Sequence, residues 1–577
     1  MYMSKEGLFK FAIIFILVII YWKDPLLVQG DTSSDFLTVK LVTATYYIDA
    51  TSGNDNNDGR SPGTAWKSIA RVNRSGFNPG DSILFKRGEI WPEGSGLIPS
   101  SSGSAGKLIT FGSYGSGDLP IIKAPSGTIY YVYNTVNQKH HLKFSQIRFD
   151  GGRGQFSHSG IILGVMNDSY ELEFSDCEFV NSPVVATASG IYLDSTHNGD
   201  ANILITRNSF DHTETAIYNQ STSGVTITHN TITNSTSGIC AGAYTSRPVN
   251  NITVSHNDVS GWGSGVAGTK HAIWVYLYSA PIGAGDNYII ADNYAHNPTG
   301  EWDAIELTWN TKPAHITIAR NRVTHNGQAL TDGFGIVVNL LRGGQAEVYS
   351  NSVYDTPFVG IFQVGGSANI YRNRIKNCGY SANTYWSSGI GVGSSNSEAA
   401  DVNGSNIYYN IVDSCHRSIS MLGEGPFSKV RNVHVYNNVF YNPAEYNARL
   451  TKYCENILFK NNIFYSNSKP HEQIDARSRK GFVSDHNCFF NDYAAAFTWG
   501  EVKCDFSDWK KVSGQDLHSL GADPRFVNAP QGNFHLRKDS PCREAGTSME
   551  AKEDYYGKPV PAGQAPDIGV AGVKAPK

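Results

Sequence analysis

The stretch that decides the fold is ILITRNSF (203–210), VTITHNTI (225–232), ITVSHNDV (252–259), YIIADNYA (288–295), ITIARNRV (316–323), AEVYSNSV (346–353), ANIYRNRI (368–375), NIYYNIV (406–412), HVYNNVF (434–440), ILFKNNIF (457–464) and SDHNCFF (484–490). One phrase recurs in it: x-h-x-h-x-x-Asn-x-h, with h apolar. Its asparagines are Asn208, Asn230, Asn257, Asn293, Asn321, Asn351, Asn373, Asn410, Asn438, Asn462 and Asn487. The gaps between them, by subtraction, are 22, 27, 36, 28, 30, 22, 37, 28, 24 and 25 residues. A repeat of this length, carried by strands with no helical period, means stacked coils whose longer members hold inserted loops. The Asn is read as the residue of a tight turn, tolerant of the left-handed conformation and able to bond the same Asn one coil away.

A second strand follows each Asn phrase: SGIYLD (189–194), TAIYNQ (215–220), SGICAG (237–242), HAIWVY (271–276), DAIELT (303–308), FGIVVN (334–339), VGIFQV (359–364), SGIGVG (388–393) and RSISML (417–422). Alternation around a buried Ile is a strand with one face turned out. The fold class expected is all-β: a single-stranded right-handed parallel β-helix of about eleven or twelve coils, judged from the eleven phrases.

Composition agrees. The 577 residues include 58 Gly, charged residues make up 17%, and the net charge is −4. No global basic field exists to hold nucleic acid, and strong general attraction to a polyanion is not encoded either. The partner expected is a polysaccharide substrate, with the chain acting as a monomer. Residues 1–30 read as a signal peptide or N-terminal anchor: Lys5 and Lys10 precede the apolar run Phe11–Tyr21, too short for an ordinary bilayer span. No other membrane contact is expected, and the site of action is a secreted, periplasmic or cell-surface one. Eight cysteines are then free to oxidise. Cys378 and Cys415 occupy neighbouring coils and either bridge or pack. Cys504 and Cys542 are a candidate clasp, and Cys177 stands in the ladder position of SDCEF. No spacing suggests zinc.

The expected divisions are 31–125 as an N-terminal cap with first strands, 126–490 as the β-helix, and 491–577 as an extension packed on it. Within the cap, Ala65–Val72 reads as an amphipathic helix plugging the first coil. The loop Gly53–Gly59 has the look of a Ca²⁺ turn but lacks the ligand spacing of an EF-hand, and an Asx-rich turn suits it better. No cofactor is indicated, although Ca²⁺ is compatible with the chain.

The entry module (TYYIDATSGNDNNDGRSPGTAWKSIARVN, FNPGDSILFKRGEIWPEG, KLITFGSYGSGDLPII) and the closing segments GADPRFVN, GNFHLRKDSPCREAGT and APDIGVAG resemble those of secreted bacterial right-handed β-helix proteins of the pectate-lyase-like superfamily. The resemblance implies the fold. For activity it implies a range: polysaccharide lyases, glycoside hydrolases, epimerases and proteins of unknown role.

Aligning the second strands on their Ile gives an outward column: Tyr192, Tyr218, Cys240, Trp274, Glu306, Val337 and Phe362. Its aromatics are expected to form a platform on which pyranose rings stack. Two residues before the Ile the column reads Ser189, Thr215, Ser237, His271, Asp303 and Phe334, which makes His271 and Asp303 neighbours. Asp332 precedes the next coil, and Lys270, Tyr276, Trp309, Asn339, Arg342 and Trp386 surround the same area. The long gaps around Asn293 place loops there, where solenoids build binding walls.

Glycoside hydrolysis needs one protonated and one ionised carboxyl across the scissile bond. Asp303, Glu306 and Asp332 supply candidates. Glu306, between Trp274 and Val337, is expected to be the protonated acid, with Asp303 or Asp332 ionised. The alternatives are a lyase or epimerase acting on a uronate polymer, with Lys270, His271, Tyr276 and Arg342 as base and charge-neutralising groups, and a non-catalytic carbohydrate-binding β-helix.

Overall fold

The computed structural model divides into Met1–Ala44 and Thr45–Lys577. It describes residues 43–570 apart from 93–95, 126–130, 155–159, 244–248, 264, 266–269, 278–285, 301–302, 310–314, 326–332, 341–342, 382–385, 394–399, 426–427, 492, 494 and 561–564.

From Thr45 onward the chain winds as a right-handed parallel β-helix of about 13 turns. Three long sheets of 17, 16 and 15 strands run along it, and consecutive turns pair in parallel and in register. The turn count exceeds the number of Asn phrases because the entry module is itself coiled. Thr45–Ile48 pairs with Ser82–Lys86, and that strand pairs with Ile109–Tyr114. The ladder of the first sheet therefore begins inside the segment read as a cap.

The asparagines make one unbroken ladder. The backbone N–H of Asn208 donates to Asn230 Oδ1 at 2.9 Å, and the same bond recurs at 2.9–3.1 Å through every phrase to Asn487. Each Nδ2 donates to the next Oδ1 and to a strand carbonyl, as Asn321 does to Asn351 at 3.0 Å and Ile290 at 2.8 Å. Cys177 starts the series by donating its N–H to Asn208 Oδ1, and Ser519 Oγ ends it by accepting from Asn487. All eleven side chains are buried.

The left-handed conformation does not fall on these asparagines. It falls on the residue before each: Arg207, His229, His256, Asp292, Arg320, Ser350, Arg372, Tyr409, Asn437, Asn461 and His486, with φ between 52° and 59°. The turn needs one position at positive φ and another whose amide points inward. A single residue does not serve both, so the preceding residue takes the positive φ and the ladder Asn does not.

The expected helix at Ala65–Val72 forms at Ile69–Arg74. Trp66 bridges to Ile48 as a strand would, and Ser68 then caps the helix by accepting from the Arg71 N–H. In the Gly53–Gly59 loop the acids are already occupied. Asp55 accepts from Lys67 N–H, Ser68 N–H and Ser68 Oγ, and Asp58 accepts from Arg60 N–H and Thr64 Oγ1. That is an Asx-turn network.

The other end is closed by a helix the hydrophobic pattern does not announce, Phe506–Ser513. It is capped by Asp505 and ended by Gly514 at φ 69°. Its Trp509 is fully buried, stacked on Phe497 at 5.0 Å and bonded through Nε1 to Asp516 at 2.8 Å. The tail then runs back along the coils. Thr547 bonds Asn461, Asp567 O accepts from Asn437 at 2.9 Å, and Asp554 O accepts from Arg372 at 2.8 Å. Cys542 shares this buried core with Cys488 of the last coils, and Cys504 lies elsewhere.

Each ladder Asn from Asn230 to Asn462 accepts two hydrogen bonds from the phrase before and donates to the phrase after and to a strand carbonyl, as Asn321 does, so its loss orphans buried groups on both neighbouring coils. Asn321→Ala is expected to cost at least about 2 kcal/mol, at about 1–3 kcal/mol per orphaned group. Asn467→Ala, which removes an exposed side-chain pair with Asn442, is expected to stay within about 0.5 kcal/mol. Urea unfolding of the two variants beside the parent protein checks the difference.

Candidate functional site

The third sheet carries the candidate site. Its register places Tyr192 beside Tyr218, then Cys240, Trp274, Glu306, Val337 and Phe362, one per coil. The ladder thus puts Glu306 between Trp274 and Val337. Ile273 pairs with Ile305, so His271 and Asp303, each two residues earlier, also lie on adjacent coils.

These three side chains form a cluster. His271 Nε2 lies 2.6 Å from Glu306 Oε2 and 3.8 Å from Asp303 Oδ2. The Asp303 and Glu306 side chains keep 15% and 17% of their surface open, whereas His271 keeps 3%. Thr308, two residues along the same strand, donates its hydroxyl to Glu306 Oε1. The Phe334 N–H donates to Asp303 Oδ1 at 3.0 Å. The histidine therefore braces two carboxyls from behind, and only the carboxyls reach the surface.

The charge states follow from this geometry. Burial drives the His271 pKa down, but the adjoining carboxylates of Asp303 and Glu306 outweigh it and hold the imidazole up at about 9. Glu306 is also pushed up by burial. The His271 contact, its charge and the Thr308 hydroxyl reverse that, and its pKa lies below the usual carboxylate value. At Asp303 burial wins, helped by the negative charge of Glu306, and the pKa is raised despite His271 and the Phe334 N–H. The expectation that Glu306 carries the proton is therefore reversed. Trp274 and Val337 flank it as read, but His271 reaches over it and holds it ionised. Asp303 is the carboxyl that takes a proton first.

The aromatic column also differs from the expected platform. Tyr192 and Tyr218 stack on each other, 5.7 Å apart and 10° from parallel, and the Tyr192 hydroxyl bonds Gln220. Trp274 is 8% exposed, with the His271 ring on it at 5.4 Å and the Tyr276 ring at 4.4 Å. Phe362 is 9% exposed, stacked on Phe334 at 5.3 Å and met edge-on by Trp386 at 5.2 Å. In-register strands sit about 4.8 Å apart, so aromatic neighbours stack along the coil axis and turn their edges, not their faces, outward. Tyr276 and Trp386 are half-buried and keep open surface beside the carboxyls or along the same face.

Asn339, in register with Thr308, is half-buried, and its Oδ1 has no hydrogen-bond partner among the described residues. Lys270 precedes His271 and is half-buried, with no ion pair to the cluster among the described residues. Trp309 lies in the strand Ile305–Trp309 in register with Leu340. Asp332 and Arg342 lie outside the described residues, as do most of the loops expected to wall the site.

His271, Asp303 and Glu306 each present one ligand atom within 4.8 Å of the others, a spacing that also suits a metal ion. The buried imidazole already sits between the two acids, so it holds a proton there without one. Thr308 and Phe334 complete the cluster. Neither stands out in sequence, although Thr308 lies at i+2 from Glu306 and faces the same side.

Residues 159–375 match the family model described as a right handed beta helix region. Over 76 residues the chain is 37% identical to a lacto-N-biosidase of Bifidobacterium longum subsp. longum, a stretch that is 13% of this chain and 5% of that protein. The chain thus spans only a small part of that curated relative. Among solved structures it is similar to a GH136 lacto-N-biosidase from Eubacterium ramulus, at 13% identity and TM-score 0.38 over 57% of this chain and 67% of that one. A periplasmic alginate epimerase gives 11% identity and TM-score 0.36 over 68% and 77%. A pectate lyase gives 14% and 0.29 over 91% and 96%. The class that the fold defines is the right-handed parallel β-helix.

The raised His271 pKa has a consequence of definite sign. A base whose folded pKa lies above its ordinary 6.5 stabilises the fold below pH 6.5, and that contribution is lost as pH rises towards 9. The parent protein is expected to lose about 3 kcal/mol of stability across that window, because each pH unit between the two values is worth about 1.4 kcal/mol. His271→Gln is expected to start lower and show no such loss. Chemical unfolding at several pH values across the window checks it.

Proposed function

We propose that this chain is a polysaccharide-active enzyme that cleaves glycosidic bonds with retention of anomeric configuration. Asp303 acts as proton donor and Glu306 as the ionised partner. The observation that carries the reading is the pair itself: two partly open carboxyls, one on a rigid strand and one just before it, both held against a single buried histidine, with burial prevailing at Asp303 and the histidine and Thr308 prevailing at Glu306. Their oxygens lie within 4.8 Å of each other. That favours the short separation of retaining enzymes, about 5–5.5 Å between carboxyls, over the about 6.5–9.5 Å that leaves room for a water in inverting ones.

In this mechanism Asp303 gives its proton to the leaving glycosidic oxygen as that bond breaks. Glu306 attacks the anomeric carbon and forms the glycosyl ester. Asp303, now ionised, takes a proton from water as the water displaces Glu306, and both carboxyls return to their starting states. His271 touches no substrate. It positions Glu306 and keeps it charged between turnovers. Tyr276, Asn339 and Trp386 offer the open aromatic and polar surface for the sugars. The apolar, basic-led segment at 1–30 supports action in an exported compartment.

A polysaccharide panel with product analysis tests the reading. Reducing ends without the ultraviolet absorbance of an unsaturated sugar are expected, with the starting anomer retained by NMR. Glu306→Gln and Asp303→Asn are each expected to lower turnover by about 10²–10⁴-fold with folding intact. Unsaturated products, with activity surviving Glu306→Gln, would replace the hydrolase by a lyase.

A further inference from the structure

A second feature lies on the same sheet, further along the axis. The register continues from Phe362 to Gly391, Ser420 and Arg449. Arg449 therefore stands in the column of Glu306, five coils on, at about 24 Å for a coil spacing of about 4.8 Å. Phe362 and Trp386 make the ridge between the two places.

Beyond that ridge a cavity of about 560 Å³ opens where three coils end their strands. Its floor is Leu450–Thr451 and Gln473–Ile474, and the ladder bonds Thr451 N–H to Met421 O and Asp475 N–H to Leu450 O hold it. Its charged lining is Glu424, Arg449, Lys452 and Asp475. The acids and the bases are not equivalent. Asp475 is committed to its own turn, accepting from the Arg477 N–H at 2.9 Å, and Glu424 is exposed with a contact of its own. Arg449 and Lys452 have no ion pair or hydrogen bond among the described residues.

A layer behind the cavity adds to the contrast. Arg417 is buried, with 3% of its side chain open, and pairs with Glu445. His416 Nε2 lies 3.3 Å from the same carboxylate. Burial first, and then the charge of Arg449, draw the Arg417 pKa down, so the Arg449 guanidinium stands close to a cation already neutralised by its own partner. Arg449 thus stands half-buried in the wall of a polar cavity with no ion pair among the described residues. A planar guanidinium with an ammonium beside it suits a carboxylate or sulfate.

We propose that this cavity is a subsite for the anionic group, carboxylate or sulfate, of an acidic saccharide lying along the sheet. The proposal rests on the reading of this face as saccharide-binding and adds to it the charge of the sugar and the place where it is read.

The test is binding by calorimetry in the full chain bearing Glu306→Gln, which separates affinity from turnover. The probes are an oligogalacturonate and the same oligosaccharide with its carboxyls reduced to alcohols, and a chondroitin sulfate oligosaccharide with and without its sulfates. At least one acidic probe is expected to bind 10-fold or more tightly than its neutral counterpart. That preference is expected to shrink to under 3-fold on Arg449→Ala, to weaken on the exposed Lys452→Ala, and to fall with added salt. The pair that shows the preference tells carboxylate from sulfate. Equal binding of acidic and neutral forms overturns the subsite while leaving the saccharide reading intact. A preference that survives both substitutions, or no binding of any probe, also overturns it. Urea unfolding of Arg449→Ala guards against a folding defect, and Lys452→Ala gives an independent answer.

Discussion

The rest of the structure depends on the amide ladder from Asn208 to Asn487. A parallel solenoid gains its apolar burial only if consecutive coils keep register, since a one-residue slip turns every inward side chain outward. Alternating aliphatic residues specify which face is inside, but they repeat too regularly to fix position along the strand. The Asn does fix it. Its side chain accepts the backbone N–H and Nδ2 of the preceding phrase, and its own Nδ2 finds a strand carbonyl, as at Asn321. A slipped coil would leave several buried polar groups unpaired, a cost well above what a few displaced methyls involve.

That register makes a functional site possible without a long-range fold. Coils of 22 to 37 residues differ widely in loop length, yet each returns its second strand to the same place, so residues from separate turns meet in straight columns. Glu306 stands on the strand Ile305–Trp309 and Asp303 just before it on the same coil, His271 comes from the coil before, and the Phe334 N–H comes from the coil after. Glu306 stands on a strand with buried Ile305 on the inner face, and Asp303, just before it, is held by the Phe334 N–H of the next coil, so stacked coils set their separation.

Much of this was legible. The Asn phrases and the Ile of the second strands carry the full register, and the columns read from them agree with the pairing residue by residue from Tyr192 to Phe362. Three things were not. The left-handed turn position was misassigned because Asn has the strongest intrinsic preference for it, yet the inward amide had the stronger claim. The aromatic platform failed because a one-dimensional column says nothing of ring orientation. Stacking at coil spacing, as between Tyr192 and Tyr218, uses up the faces a sugar would need. The protonation order of Glu306 and Asp303 was inverted because the flanking residues in the column, Trp274 and Val337, are apolar. The decisive contact is diagonal, from His271 three residues before Trp274, and only the side-chain direction reveals it. The helix Phe506–Ser513 had its signals in Asp505 and Gly514, but its apolar face is too narrow to stand out by period.

The His271 arrangement follows from the cost of burying charge. An imidazolium with 3% of its surface open is expensive alone, and two carboxylates brought within 4.8 Å of each other repel. Either half of the cluster would relax by losing or gaining a proton. Together they settle into one buried cation shared by two acids, an arrangement stable only if one acid is more tightly held than the other. The asymmetry comes from burial, which prevails at Asp303, and from the groups that offset it: Thr308 supplies a hydroxyl to Glu306, whereas Asp303 receives the Phe334 N–H and meets the histidine at the longer 3.8 Å. The different protonation preferences of the two carboxyls therefore originate in burial, which prevails at Asp303, and in what offsets it at Glu306: a threonine two residues away and the closer reach of a histidine, 2.6 Å against 3.8 Å. The same constraint that aligns the asparagines on one side of the solenoid thus sets which carboxyl is acid and which is ionised on the other.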